Sequence, residues 1–239
     1  MENVPLYVSL IFGSTVLFAV FLFYRATARS KTFLFIVPGW ILLQSVIGLT
    51  GFYASTQGTP PRFLFLVLPP IVMIIVLFAT AKGRAFIDGL DIKTLTLFHI
   101  IRIPVELVLL GLYLYKAVPK IMTFEGSNFD ILSGITAPIV WYIVFARKQP
   151  GKTLLLVWNF ICLALLVNIV YHAILSVPTS FQQFGFEQPN IAILHFPFVL
   201  LPACLVPMVL FAHLVSIRRQ IVQSKLHVPN YKSQITNVG

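Results

Sequence analysis

Apolar residues come in seven long runs along the chain, and short polar or charged connections separate them. A helix needs about 20 residues to cross the hydrocarbon core of a bilayer, and each run is near that length. The pattern therefore predicts an all-α integral membrane protein, a bundle of seven transmembrane helices. The predicted spans are about 5–24, 33–53, 63–80, 95–117, 131–147, 153–176 and 192–215.

These spans take up most of the chain, so they predict one transmembrane domain over residues 1–223 and a polar cytoplasmic tail over residues 224–239. A second, soluble domain has no room. Because bacterial outer membranes use barrels and other membranes use helices, the helical spans predict a multi-pass protein of a cell membrane, the inner or plasma membrane.

Composition and charge agree with this interpretation and add an orientation. Only 10% of the residues are charged, and 58% are hydrophobic, whereas soluble domains carry about 25% charged residues. Of the 17 Lys and Arg, 13 lie at the ends of spans 1, 3, 5 and 7 or in the segments that follow these spans. Cytoplasmic loops carry such an excess, which predicts the N-terminus outside and the C-terminus inside. The net charge of +10 is then an orientation signal and a contact for anionic lipid heads, which argues against nucleic-acid binding.

Spans 3 and 7 resemble each other. Residues 65–79 and 198–212 match at seven of fifteen positions, with Pro69 and Pro202 in register. This similarity is consistent with a 3+1+3 parallel repeat of the kind found in transporters. Chance similarity between apolar helices is the alternative. Pro197, Pro202 and Pro207 also predict that span 7 is the most distorted helix.

Span 4 contains a stripe of polar side chains at membrane depth, namely His99, Arg102, Glu106 and Tyr113. Their spacings of three, four and seven place them on one helix face, and Arg102 can pair with Glu106 one turn later. Charges inside a bilayer are costly, so they face the bundle interior and often mark function. The alternative is a neutral ion pair that holds the helices together.

Polar residues of neighbouring spans could complete a cavity around this stripe. Span 6 carries Asn168 and His172 one turn apart, and span 2 carries Gln44 near mid-depth. For Gln44 an interhelical hydrogen bond is the simpler interpretation. The leading hypothesis is a non-enzymatic protein that binds or moves a small molecule or a proton between spans 2, 4, 6 and 7.

The histidines support a second hypothesis. His99 and His213 fall near the inner face, and His172 and His195 near the outer face. Two levels of paired histidines are what a di-haem b protein would need. His172 and His195 with Asp130 could instead bind the zinc of an intramembrane hydrolase, although no His-Glu-x-x-His motif is present.

A third hypothesis is a receptor or assembly subunit that binds a protein partner or a second copy of itself. Cys162 and Cys204 lie within spans and form neither a disulfide framework nor a zinc spacing.

Overall fold

The computed structural model describes residues 4–56, 58, 60–147 and 151–226, and the regular structure in these ranges is helical. Its α-helices are α1 (Leu6–Ala26), α2 (Lys31–Leu49), α3 (Leu64–Ala79), α4 (Ala81–Asp88), α5 (Ile92–Phe98), α6 (Arg102–Leu114), α7 (Ile131–Trp141), α8 (Lys152–Leu175) and α9 (Val206–Leu226). Helix α9 extends into the predicted polar tail, whose remaining residues 227–239 lie outside the described part of the chain.

Several helices are long and apolar enough to cross a membrane, as the hydropathy pattern predicts. In the described residues, five meet this criterion. They are α1, α2, Ile92–Leu114, Thr153–Leu175 and Leu201–Val222. The bent pair of α3 and α4 would be a sixth, and Ile131–Ala146 is a shorter apolar helix. The protein is therefore a helical membrane protein.

Predicted span 3 ends in a sharp corner, where α3 and α4 meet at 91°. The Thr80 hydroxyl accepts a hydrogen bond from the backbone N–H of Gly83 at 3.1 Å and so caps the start of α4. Gly83 packs directly on the backbone of Leu77, and a Cβ at Gly83 would lie 2.3 Å from the Leu77 carbonyl oxygen. The corner therefore requires glycine at this position.

Predicted span 4 is a helix with a break. Helix α5 ends at Phe98, a 3₁₀ turn covers His99–Ile101, and α6 begins at Arg102. Pro104 has no N–H to donate to the carbonyl of Ile100, which favours a local change in the helix at this level. Two of the predicted polar residues, His99 and Arg102, therefore lie at this break in the helix.

Span 7 is distorted, as its three prolines predict. A π-helical turn covers Leu201–Leu205, and α9 continues from it. The apolar span runs over Leu201–Val222, later than the predicted 192–215, because Ala192–Leu194 forms a separate 3₁₀ turn. This span is the centre of the bundle, because 72% of the residues in its most apolar stretch are buried, compared with 17% for α2.

The basic connections after predicted spans 1 and 3 meet the end of α9 on one face of the bundle. Arg218 near the end of α9 pairs with Asp88 at the end of α4, with 3.6 Å between Nη2 and Oδ2. The backbone N–H of Asp91, which precedes α5, donates to the carbonyl of Ala26 at the end of α1, at 2.9 Å. We call this side of the bundle the basic face.

Candidate functional site

Arg102 begins α6 inside the bundle and forms an ion pair with Asp130, which directly precedes α7. The Nη1 and Oδ1 atoms are 3.0 Å apart, and the two residues are 2% and 5% exposed. The distance is that of an ion pair, but the angles are not those of a hydrogen bond. The i, i+4 spacing predicts Glu106 as the partner of Arg102, and the structure corrects this to Asp130.

Close packing of α7 against predicted span 4 explains the change of partner. Helix α7 contacts both the 3₁₀ turn and α6. A Cβ at Gly134 would lie 3.0 Å from the backbone nitrogen of Ile103 and 3.3 Å from the Cβ of Arg102. Glycine thus lets α7 approach the start of α6, and this brings Asp130 to the guanidinium.

Glu106 lies one turn further along α6 and is 1% exposed. Its Oε2 accepts a hydrogen bond of 2.6 Å from Nδ2 of Asn128, which also donates to the Met122 carbonyl at 3.0 Å. Oδ1 of Asn128 accepts from the backbone N–H of Asp130 at 3.0 Å. Asn128 therefore connects the two buried carboxylate residues, and we call Arg102, Glu106, Asn128 and Asp130 the polar cluster.

The pattern of apolar runs does not find half of this cluster. Asn128 and Asp130 belong to a connection that hydropathy assigns to the outer surface, yet Asn128 is completely buried. Asn168 of α8 holds the same connection, because its Nδ2 donates to the Ser127 carbonyl at 2.8 Å. The one available signal is that Asp130 stands immediately before an apolar run.

A cavity of about 60 Å³ adjoins the cluster. Arg102, Glu106 and Asp130 line it on the polar side, and Met122 and aliphatic side chains of predicted span 4, α8, α9 and the π-helical turn line the rest. One water occupies roughly 10–15 Å³ on this measure, so the cavity has room for a few waters. Sites for drug-sized ligands are about 300 Å³ or larger, which makes this cavity too small for such a molecule. Nε and Nη2 of Arg102 are buried without a protein partner within the described residues, so these donors are available to water.

His99 and His213, predicted at one level, are in contact. Their rings stack with centroids 3.9 Å apart and 17° between the planes, and neither residue is exposed. Nδ1 of His213 lies 2.8 Å from Oδ1 of Asn159, and Trp158 packs edge-on against His99. The pair lies next to the cluster, because His99 precedes Arg102 by one turn.

The histidine positions do not fit haem b or a metal centre. In a bis-histidine haem the porphyrin lies between the imidazoles, and each ring directs a nitrogen at the iron. Rings stacked 3.9 Å apart leave no space for it. His172 packs against the rings of Tyr171 and Phe184. Across the described ranges, no group of three or more His, Cys, Asp or Glu could hold a metal ion, including His172, His195 and Asp130.

The other predicted site residues lie away from the cavity. Gln44 is buried on α2, where its Oε1 accepts from the Tyr53 hydroxyl at 2.5 Å. Burial raises the pKa of this phenol, and the bond to Gln44 partly opposes the shift. The carbonyl of Tyr113 accepts from Gln188 at 2.9 Å, and Nδ1 of His172 lies 2.9 Å from the Asn168 carbonyl. These contacts tie loops and helix ends together.

The fold and the cluster define a polytopic helical membrane protein with ionisable side chains inside its bundle. The chain belongs to the family described as a domain of unknown function (DUF8737), which matches residues 61–221. No curated protein and no solved structure matches the chain. The family range contains the whole polar cluster and both stacked histidines.

Proposed function

We propose that this protein binds a proton inside its helical bundle and moves it across the membrane through the polar cluster and its cavity. Glu106 takes up and releases the proton. Arg102, which its ion pair with Asp130 keeps in place, supplies a fixed positive charge next to it. The bundle has seven spans, with the N-terminus outside and the basic face inside. The convergence of Arg102, Glu106 and Asp130 on one cavity is the observation that carries this proposal.

Charge balance supports the role of Glu106. The cluster has two carboxyl groups and one guanidinium, and Asp130 is the residue in ion-pair contact with Arg102. A second negative charge in a buried site has a high desolvation cost, so a proton on Glu106 removes the excess charge. The amide of Asn128 keeps the Glu106 carboxyl in place in either state.

Cavity size favours a proton over a larger solute. The volume of about 60 Å³ fits a few waters, and water next to a carboxyl group can relay a proton. His99 and His213 extend the line of titratable groups from Arg102 toward the basic face. Both ring nitrogens of His99 and Nε2 of His213 have no hydrogen-bond partner in the part of the chain that the structure describes, so each ring can form a hydrogen bond with water.

The test is proton flux into vesicles that contain the purified protein and a trapped pH-sensitive dye. A potassium diffusion potential of either sign drives the flux. Wild-type protein is expected to acidify or alkalise the lumen faster than empty vesicles, and Glu106→Gln is expected to abolish the difference. The matched control is Glu125→Gln, because Glu125 is an exposed glutamate in the connection that contains Asn128 and Asp130.

Two results would contradict the proposal. The first is wild-type flux equal to that of empty vesicles at both polarities. The second is a Glu106→Gln variant that keeps full flux. If Glu106→Gln lowers thermal stability while wild-type flux is absent, the cluster is a structural anchor for the connection before α7.

A further inference from the structure

A second and much larger cavity lies on the other side of the central span. It is a groove of about 830 Å³ between α2, α3 and α9, lined by side chains such as Phe33, Trp40 and Ile74. Ile36 of α2 and Met73 of α3 line it and are also 50% and 46% exposed, so the groove opens to the outside of the bundle. In a bilayer this opening faces lipid.

The groove has one polar end. Ser30, Thr32, Thr80 and Lys82 line it at the basic face, and nearly all other lining residues are apolar. From Thr80 to Pro69 along α3 is 11 residues, which is about 16 Å at 1.5 Å per residue. One leaflet contributes about 15 Å of hydrocarbon, half of the ~30 Å core. The groove is therefore as long as an acyl chain in one leaflet.

The polar end of the groove carries the positive charge of Lys82, and the nearby acidic residues have other partners. Asp88 is in contact with Arg218, and Asp91 caps α5 through the backbone N–H groups of Lys93 and Thr94. These are the two acidic residues of the connection between predicted spans 3 and 4. Among the described side chains, no carboxylate lies within ion-pair distance of Lys82. An anionic group at this end would meet an ammonium group without a competing carboxylate.

We infer that the groove is a binding site for an anionic phospholipid, with one acyl chain between α2 and α3 and the phosphate head group at Lys82. The π-helical turn and α9 separate this site from the polar cluster. They direct Leu205 and Val209 at the polar cavity, and Cys204, Met208 and Phe211 at the groove. The inference is thus independent of proton movement.

Trp40 provides a probe inside the groove. The chain has three tryptophans, and a Trp141→Phe, Trp158→Phe variant of the full chain leaves Trp40 as the single emitter. This variant is reconstituted in bilayers with increasing fractions of phosphatidylglycerol or phosphatidylcholine brominated on the acyl chains. Bromine quenches an indole only at short range, so quenching reports occupancy of the groove.

Brominated phosphatidylglycerol is expected to quench Trp40 half-maximally at a mole fraction about five-fold lower than phosphatidylcholine, the preference that one basic residue near an anionic lipid supplies. Lys82→Gln is expected to remove the difference, whereas Lys93→Gln, an exposed lysine of the same face that does not line the groove, is expected to keep it.

Equal quenching by the two lipids would show that bulk lipid fills the groove, and would overturn the inference. Absence of quenching by both lipids would also overturn it, because another occupant or closure of the groove must then exclude acyl chains. Circular dichroism and thermal melting of each variant verify that it is folded before the quenching is compared.

Discussion

The indole N–H of Trp40 donates a hydrogen bond of 2.8 Å to the carbonyl oxygen of Ala203. Pro207 stands four residues after Ala203 and has no N–H, so it leaves this carbonyl without its usual helical donor. A side chain of α2 therefore satisfies an acceptor that a proline frees in the central span. This bond ties the most exposed membrane-length helix to the most buried one.

Trp40→Phe is expected to destabilise the protein by about 0.6–1.5 kcal/mol, because the Ala203 carbonyl is left unpaired in an apolar environment. Unfolding in mixed micelles by added SDS measures the free energy. Trp141→Phe is the matched control, since the Trp141 N–H has no partner in the described part of the chain. Equal losses of unfolding free energy in the two variants would show that the smaller ring, and not the lost hydrogen bond, causes the effect.

The Arg102–Asp130 ion pair is expected to behave as a coupled buried pair. Arg102→Met or Asp130→Leu alone leaves one buried charge without its partner, which costs roughly 3–5 kcal/mol. The double variant is expected to lose less than the sum of the two single losses, and a double-mutant cycle of unfolding free energies measures the coupling.

The half-exposed pair of Arg218 and Asp88 is the control for this cycle. Its coupling is expected to be about 0–1 kcal/mol, as for exposed ion pairs. If the buried pair shows coupling no greater than this control, Arg102 and Asp130 are not energetically linked in the folded protein.

Gly83→Ala is expected to disrupt the corner between α3 and α4. The added Cβ would lie 2.3 Å from a backbone oxygen that cannot rotate away, so the loss should exceed the roughly 1–3 kcal/mol of ordinary overpacking. Thermal melting in detergent measures the effect. Gly89→Ala should change the melting temperature little, because its nearest atom would be 3.5 Å away. Similar melting of both variants would contradict the close approach at Gly83.

Asn128→Ala is expected to release the connection before α7, because it removes the bonds to Glu106, the Met122 carbonyl and the Asp130 N–H. At about 1 kcal/mol for each bond, the loss should be roughly 2–3 kcal/mol. Asn168→Ala removes one bond to the same connection and should cost about 0.6 kcal/mol. Hydrogen exchange over residues 118–130 should rise more in the first variant. A smaller effect of Asn128→Ala than of Asn168→Ala would contradict its linking role.

Hydropathy alone predicts that several helices are long and apolar enough to cross a membrane, because the requirement for about 20 apolar residues depends only on the local sequence. Predicted span 6 at 153–176, for example, is Thr153–Leu175. The prolines of span 7 also predict its distortion, since the loss of an N–H is a property of the residue itself. Both predictions depend on the local sequence only.

The partners inside the bundle depend on packing between distant segments. Helix periodicity pairs Arg102 with Glu106, but it carries no information about how closely α7 approaches. Asn128 is hidden for the same reason: a polar residue in a connection is expected in water, and only the folding of that connection into the bundle buries it. Stacking of His99 on His213 follows from contact between α5 and α9, so sequence places the two at one level without predicting contact.

In the proposed seven-span arrangement, two apolar helices are short for a membrane. Helix α3 has 16 residues and reaches about 24 Å, against about 30 Å of hydrocarbon, and Ile131–Ala146 has the same length. A bilayer adapts to such helices by becoming thinner next to them, which costs a fraction of a kcal/mol per Å of mismatch. The protein is therefore expected to partition toward thinner membranes. The length of the lipid acyl chains is therefore expected to influence in which membrane the protein resides and how much the bilayer must deform next to these two helices.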